Sequence, residues 1–152
     1  PSPDPNPNPS PEPNPHPRHF SLAVTADGAV YAWGRCACGR TSTPLPSSPS
    51  SLSSSWFESR PYRLQGGGLE AERVVEAAAG YAHLLLRTAS GAVFTCESGD
   101  DGYAGRLPTP PPPNAHGQLG RPGPLALVEA LRPHRLPSRA LGGRRAVAIA
   151  AG

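Results

Sequence analysis

Cysteine and histidine are the residue types in this sequence best suited to bind a metal. Cys36 and Cys38 are one residue apart, and His19, His83 and Cys96 lie elsewhere in the chain. Structural zinc sites ordinarily combine a Cys-x₂₋₄-Cys pair with a second matched pair, and the sequence contains no second pair. We therefore expect no metal and no cofactor, and we interpret the cysteines as loop residues.

The residues that could take part in catalysis are not arranged for it. Ser90 lacks the flanking glycine elbow that positions a nucleophilic serine. Asp100 and Asp101 are adjacent acids in a Gly-rich segment, which is typical of a turn. The run Gly66–Gly68 is not followed by the Lys-Ser/Thr of a phosphate-binding loop, and we expect His83 to bind backbone within its sheet. The sequence therefore predicts no catalytic residue and no enzyme.

Cysteine usage and hydropathy bear on the compartment. Three cysteines are an odd number, and the pair Cys36 and Cys38 does not suggest a disulfide framework. We therefore expect a reducing, intracellular location, cytoplasmic or nuclear. No run approaches the roughly 18 apolar residues of a membrane helix, so we expect no membrane association.

All basic side chains of the sequence are arginine, and the formal net charge is +3. A basic stretch lies late in the chain, at Arg132, Arg135, Arg139, Arg144 and Arg145. Contact with phosphate or chromatin is one interpretation of it. The corresponding stretch one repeat earlier mixes arginine with glutamate, which favours a solvated connecting loop. We do not expect direct nucleic-acid binding.

Two predicted β-hairpins position these residues. In the segment Ser21–Gly34, two short runs of strand-forming residues flank Asp27-Gly28, a dipeptide typical of a hairpin turn. After a shift of about 63 residues, Leu85–Phe94 matches Leu22–Tyr31, with threonine and glycine at the same turn positions. The hairpin is therefore predicted to occur twice.

A second repeat has a different offset. Arg60–Leu64 recurs as Arg132–Leu136, and Arg73–Gly80 recurs as Arg145–Gly152, both about 72 residues later. We expect an edge strand at Arg60–Leu64 and a small buried strand within Arg73–Gly80. Repeats of this size built from short strands indicate a β-propeller or a similar array.

Further predictions concern the end of the chain and its low-complexity segments. A strand is expected at Pro124–Leu131, and Val147–Ala151 should begin the next repeat. Proline occupies every odd position through 17, so we expect a disordered, extended tether at 1–18. The repeats should span 19–152, with low-complexity insertions at about 41–59 and 105–115. Since the last repeat stops early, we interpret the chain as part of a longer protein.

The repeats resemble those of the regulator of chromosome condensation family. Gly80-Tyr81-Ala82-His83, the turn at Gly91 and Gly117-Gln118-Leu119-Gly120 match that unit, and Trp33-Gly34 matches its Trp-Gly step. The resemblance assigns structural repeat positions to Gly28, Trp33, Gly34, Gly80, His83, Gly91, Gly117, Leu119, Gly120 and Gly152.

The chain departs from the family pattern at three places. Cys96-Glu97 replaces Trp-Gly in the second repeat, and Phe20 takes the position of the histidine in the first. Cys38-Gly39-Arg40-Thr41 stands where the first repeat should have Gly-Gln-Leu-Gly. The expected fold is nevertheless all-β, a fragment of the family's seven-bladed propeller with about two four-stranded blades.

The resemblance also implies what the protein does. The expected function is a protein–protein interaction scaffold, with a small GTPase or a chromatin-associated protein as partner. The first alternative is part of a guanine-nucleotide exchange factor for a small GTPase of the Ran type. The second is a non-functional fragment of a larger repeat protein.

Overall fold

A computed structural model describes residues 20–40, 58–99 and 112–152 of the chain. The first antiparallel sheet contains β1 (Phe20–Val24), β2 (Val30–Gly34) and β3 (Glu58–Arg63), in that spatial order. The predicted tether at 1–18 and most of both predicted insertions lie outside the described residues.

The second sheet contains β4 (Val74–Ala79), β5 (His83–Thr88), β6 (Val93–Glu97) and the two-residue strand β7 (His134–Arg135). Its strands are antiparallel and pair in sequence order. The all-β propeller prediction is confirmed, as are both hairpins. In the described part of the chain the first sheet has three strands rather than the expected four. The residues that would match β4 at an offset of 63 lie before the first described residue.

The two hairpins close with the same set of hydrogen bonds. In the β1–β2 turn, Thr25 N donates to Ala29 O and Gly28 N donates to Thr25 O, both at 2.9 Å. The Thr25 hydroxyl also accepts from Ala29 N at 3.1 Å. In the β5–β6 turn the residues 63 positions later repeat all three bonds, at 2.9, 2.9 and 3.2 Å. The sequence repeat is therefore a repeat of turn geometry.

The segment entering β4 is fastened to the β1–β2 turn of the first sheet. Arg73 donates from Nη2 to Ala26 O at 2.9 Å, and Val74 N donates to Gly28 O at 3.1 Å. Gly28 has φ 87°, and a Cβ there would lie 2.9 Å from Arg73 Cα. We call this arrangement the arginine clasp. It requires glycine both for the positive φ and for the close approach of the next sheet.

The clasp occurs a second time at the second hairpin. Arg145 donates from Nε to Ser90 O at 2.7 Å, and Ala146 N donates to Gly91 O at 2.9 Å. Gly91 has φ 80°, and a Cβ there would lie 2.6 Å from Arg145 Cβ. The 72-residue offset of the sequence therefore corresponds to a repeated contact between successive units.

Apolar side chains from both sheets form one core. Its buried members include Val30, Ala32, Leu64, Leu69, Val74, Leu84, Leu86 and Phe94, together with Cys36, Cys38 and Cys96. The expectation of a buried strand is wrong for most of β4, since Val74 is buried but Val75 is 40% exposed and Ala79 is exposed. The reason is that β4 is an edge strand of the described sheet.

One strand prediction near the end of the chain is also wrong. Pro124–Leu131 contains a short helix, α1 (Leu127–Ala130), rather than a strand. The Glu129 carboxylate accepts from Ala126 N at 3.3 Å, which satisfies a free donor at the helix start. Val147–Ala151 has no strand partner among the described residues, and its place at the start of the next repeat stays a prediction. No described helix is long and apolar enough to span a membrane.

Candidate interaction face

Two loops follow equivalent strands of the two sheets. The first loop, residues 35–40, follows β2, and the second loop, residues 112–123, lies between β6 and α1. Ala37 N donates to Ser98 O at 2.6 Å, and Gly39 N donates to Leu131 O at 2.8 Å. The first loop is therefore bound to residues of the second sheet as well as its own.

A tyrosine from β3 holds the first loop. The Tyr62 hydroxyl donates to Cys36 O at 2.8 Å and to Cys38 O at 3.0 Å. Arg40 lies over the Tyr62 ring at 5.3 Å and forms an ion pair with Glu58 at 3.3 Å. Burial raises the pKa of Tyr62, so the hydroxyl stays protonated and remains a donor.

A disulfide joins the first loop to the second sheet. Cys38 is bonded to Cys96 of β6, with their Cα atoms 6.2 Å apart and a separation of 58 positions in sequence. The expectation that the cysteines form no disulfide is wrong, because spacing along the chain does not reveal neighbours across two sheets. The cysteines therefore give no support to a reducing compartment.

The remaining cysteine is buried beside this link. Cys36 is a free thiol with no exposed surface, and burial raises its pKa above the usual range. A buried, protonated thiol is a poor nucleophile. In the part of the chain that the structure describes, no group of three or more His, Cys, Asp or Glu side chains could hold a metal.

An asparagine closes the second loop from inside. Asn114 is 3% exposed and has φ 60°, a conformation that asparagine tolerates. Its Nδ2 donates to Arg121 O and Gly123 O, both at 2.9 Å, while its Oδ1 accepts from Leu119 N at 2.9 Å. One side chain therefore fixes three backbone groups of the loop.

The second sheet anchors this loop through β6. Glu97 is 5% exposed, and its Oε1 accepts from Asn114 N at 2.5 Å and from Gln118 Nε2 at 2.8 Å. Thr95 donates from its hydroxyl to Leu119 O at 2.8 Å. Glu97 occupies the position that Gly34 has in the first repeat. The residue that departs from the family pattern therefore holds the second loop in place.

The structure places some predicted repeat positions in the second loop. Gly117 and Gly120 have φ values of 70° and 64°, and Leu119 is fully buried between them. Gly28 and Gly91 lie at the turns that the arginine clasps contact, remote in sequence from this loop. Their roles as repeat positions stay predictions.

The other predicted repeat positions lie in the sheets or at the end of the chain. Trp33 is half-buried and pairs with Ser21, while Gly34 has φ 90° at the end of β2. Gly80 N donates to His83 O at 2.8 Å, and a Cβ on Gly80 would lie 2.5 Å from the imidazole. Gly152 accepts from an amide of the β4–β5 connection.

The residues considered for catalysis, as far as the structure describes them, lie in a hairpin turn or in a strand. The Ser90 hydroxyl lies 2.8 Å from the Thr88 hydroxyl and 3.4 Å from a Glu72 carboxylate oxygen, within a hairpin turn. His83 is half-buried, and desolvation lowers its pKa. Asp100 lies outside the described residues, as does its neighbour Asp101. The structure assembles no nucleophile–base pair from the described members of this set.

Sequence reasoning missed the residues that hold the two loops, Asn114, Glu97 and Tyr62. Asn114 was assigned to an insertion because a run of prolines precedes it. The sequence does contain an indication of this role, since Asn114 lies three residues before Gly117. Asparagine is common in turns because it tolerates a positive φ and its side chain can bind nearby backbone groups.

A groove lies beside the second loop, between it, α1 and β7. It encloses about 680 Å³ and is lined by Arg121, Val128, Arg132, His134 and Arg139, among others. We call it the arginine groove. A neighbouring groove of about 490 Å³, lined partly by the first loop, shares Val128 and Arg132 with it. The two loops and the two grooves together form the interaction face.

Comparison with known proteins supplies the class of fold. No protein-family model matches the sequence, and no curated protein matches it. The structure of human WBSCR16 superposes with a TM-score of 0.51 at 21% identity, covering 78% of this chain and 23% of that one. Prp20p from Saccharomyces cerevisiae superposes with a TM-score of 0.52 at 20% identity, covering 89% of this chain and 25% of that one.

These likenesses define blades of a β-propeller. Both solved structures belong to the regulator of chromosome condensation family, so the fold of this chain is similar to the propeller of that family. The chain spans about a quarter of the length of each. The Prp20p structure is described together with that protein's binding to Gsp1p and histones.

Proposed function

We propose that the chain is a protein–protein interaction scaffold that binds its partner through the interaction face. The observation that supports this most is that both sheets hold the two loops around open grooves. The first loop is fixed by a disulfide and a tyrosine hydroxyl, and the second by a buried amide–carboxylate network. A surface held in this way loses little conformational entropy on binding. Binding without turnover is therefore the expected activity.

Site-specific photo-crosslinking tests this proposal. p-Benzoylphenylalanine is incorporated at Val128, which is 46% exposed between the two grooves. The matched control carries it at Ala26, on the turn at the opposite end of the first sheet. We expect Val128 to crosslink a protein that then binds the purified chain in calorimetry. Equal crosslinking at both positions, or none at Val128, would contradict the proposal.

A second candidate function is a part in guanine-nucleotide exchange on a small GTPase. The likeness to Prp20p, described as binding Gsp1p and histones, supports a small GTPase or a chromatin-associated protein as partner. It also supports a cytoplasmic or nuclear location. The test is release of fluorescent GDP from a Ran-type GTPase, with the chain added in excess. Unchanged release alongside crosslinking at Val128 would favour the scaffold.

The third hypothesis, a fragment without function of its own, makes a different prediction. It requires the piece to lack a cooperative fold. Circular dichroism of residues 19–152 with thermal melting tests it directly. A cooperative transition would exclude an unfolded fragment, and a coil spectrum would support one.

A further inference from the structure

The arginine groove carries an excess of positive charge. Among the described residues that line it, three are arginines and one is a glutamate. The carboxylate of Glu129 is directed at the start of α1, where it accepts from Ala126 N. It therefore does not form a salt bridge with any arginine of the groove within the described chain.

Two of these arginines have guanidinium groups that are not engaged elsewhere in the described fold. Arg87 and Arg135 form ion pairs with glutamates, and Arg145 binds backbone carbonyls. Within the described chain, Arg132 and Arg139 have no hydrogen-bond or ion-pair partner for their guanidinium groups. Both are exposed, so an anion can reach them.

The third arginine of the groove, Arg121, has one buried donor. The Nε atom of Arg121 is buried and has no acceptor within the described chain. Its Nη2 makes one long hydrogen bond, to Glu129 O at 3.3 Å. A buried donor without an acceptor destabilises the fold. Because this Nε atom is buried, a carboxylate from a ligand would bind the guanidinium through its other nitrogens, with a charge-assisted hydrogen bond.

The groove also has an apolar wall. Leu125, Val128, Pro133 and Pro137 contribute to it, and Val128 is 46% exposed. Single-stranded nucleic acids are usually bound by aromatic side chains on which bases stack, and the described lining contains no Phe, Tyr or Trp. Apolar side chains flanked by arginines instead suit a peptide that carries both carboxylates and aliphatic groups.

We propose that the arginine groove binds an acidic peptide segment of a partner protein, with carboxylates at Arg121, Arg132 and Arg139 and an aliphatic side chain at Val128. This inference rests on the proposed scaffold function and names the class of partner. The volume of about 680 Å³ accommodates a few residues of an extended peptide.

Fluorescence anisotropy tests the proposal with defined probes on the full chain. The first probe is a fluorescein-labelled Glu-Glu-Leu repeat peptide, compared with Gln-Gln-Leu and Glu-Glu-Ser repeat peptides of equal length. We expect the Glu-Glu-Leu peptide to bind most tightly and its affinity to fall as salt is raised. Equal affinity for the Gln-Gln-Leu peptide would show that the carboxylates do not contribute to binding. Equal affinity for the Glu-Glu-Ser peptide would show that the aliphatic side chain does not contribute.

Matched variants locate the binding. Arg132→Ala with Arg139→Ala removes two charges from the groove, and Arg60→Ala with Arg144→Ala removes two exposed charges that do not line it. We expect about tenfold weaker binding for the first pair and less than about twofold change for the second. Equal losses for both pairs would overturn the assignment to the groove.

The remaining outcomes separate this inference from the scaffold function. Tighter binding of single-stranded DNA than of the acidic peptide, with the same loss in the first variant pair, would replace the peptide by nucleic acid. No peptide binding, with crosslinking at Val128 retained, would reject the acidic peptide and keep the scaffold. Loss of crosslinking as well would reject both.

Discussion

The first and second loops follow equivalent strands of the two sheets but are held by different chemistry. In the first loop, Tyr62 binds two backbone carbonyls and Cys38 is bonded covalently to the other sheet. In the second loop, Asn114 and Glu97 bind backbone and side-chain groups of the loop itself. The first loop therefore depends on contacts between sheets, whereas the second is stabilised mainly from within and by β6.

Equivalent loops of the two sheets are therefore fixed by different sets of residues. Cys96 and Glu97 replace the Trp-Gly step of the first repeat, and each takes part in holding a loop. The comparison predicts that the loops respond to different treatments. Four measurements can test this difference between the loops and between the sheets.

The largest effect is expected from the disulfide. Cys38→Ala with Cys96→Ala should lower the free energy of unfolding by about 4 kcal/mol, since the bond closes a loop of 58 residues. Urea unfolding with and without reductant measures this. Wild type should lose stability in reductant, while the double variant should not respond. If the free energy of unfolding of the wild type were the same with and without reductant, the disulfide would not contribute to stability.

Removing the Asn114 side chain should have the next largest effect. Asn114→Ala loses three hydrogen bonds and strains a backbone with φ 60°, so we expect a loss of roughly 3 kcal/mol. Asn114→Gly loses the same bonds without the strain and should cost about 1 kcal/mol less. Reductant should act on both variants as on wild type. Equal losses for Ala and Gly would show that the strain is absent.

A smaller effect is expected at the tyrosine of the first loop. Tyr62→Phe removes the hydroxyl that binds Cys36 O and Cys38 O, and we expect a loss of about 1–2 kcal/mol in urea unfolding. Tyr31→Phe, in the same sheet, is the matched control and should change stability little. Equal losses from both substitutions would mean that the carbonyl contacts do not stabilise the loop.

The smallest expected effect is on the pH dependence of stability. It arises in the second sheet alone of this pair of positions, since β5 has His83 where β1 has Phe20. Desolvation lowers the pKa of His83 below 6.5 in the folded state, so the unfolded state binds the proton more readily. This contribution to stability is present above pH 6.5 and is lost as the pH falls through the folded pKa. His83→Phe should therefore reduce the acid sensitivity of unfolding. His116→Gln, at an exposed position, is the control; an unchanged slope for His83→Phe would contradict the assignment.

The sequence predicted the hairpins because their turns depend on neighbouring residues. Threonine and glycine at fixed spacing are sufficient to set the hydrogen bonds at Thr25 and Gly28. Long-range partners could not be predicted in the same way. Cys38 and Cys96 are 58 residues apart, and their pairing depends on how two sheets pack.

Local propensity also misled at two places. The segment around α1 was predicted as a strand, but its Leu, Ala and Glu residues favour a helix and Glu129 satisfies the helix start. β4 was expected to be buried because it is rich in Val and Ala, yet it is an edge strand in the described fold. Burial of a strand depends on its neighbours, which composition does not specify.

The arginine clasp has a consequence for the geometry of a larger ring. Because Arg73 and Arg145 bind the preceding turn through similar contacts, each step from one sheet to the next is defined by the same local bonds. If every pair of adjacent blades is joined by the same local bonds, the rotation from one blade to the next is the same at each step. The curvature of the assembled ring would then be determined at each hairpin turn, where Gly28 and Gly91 leave room for the next arginine.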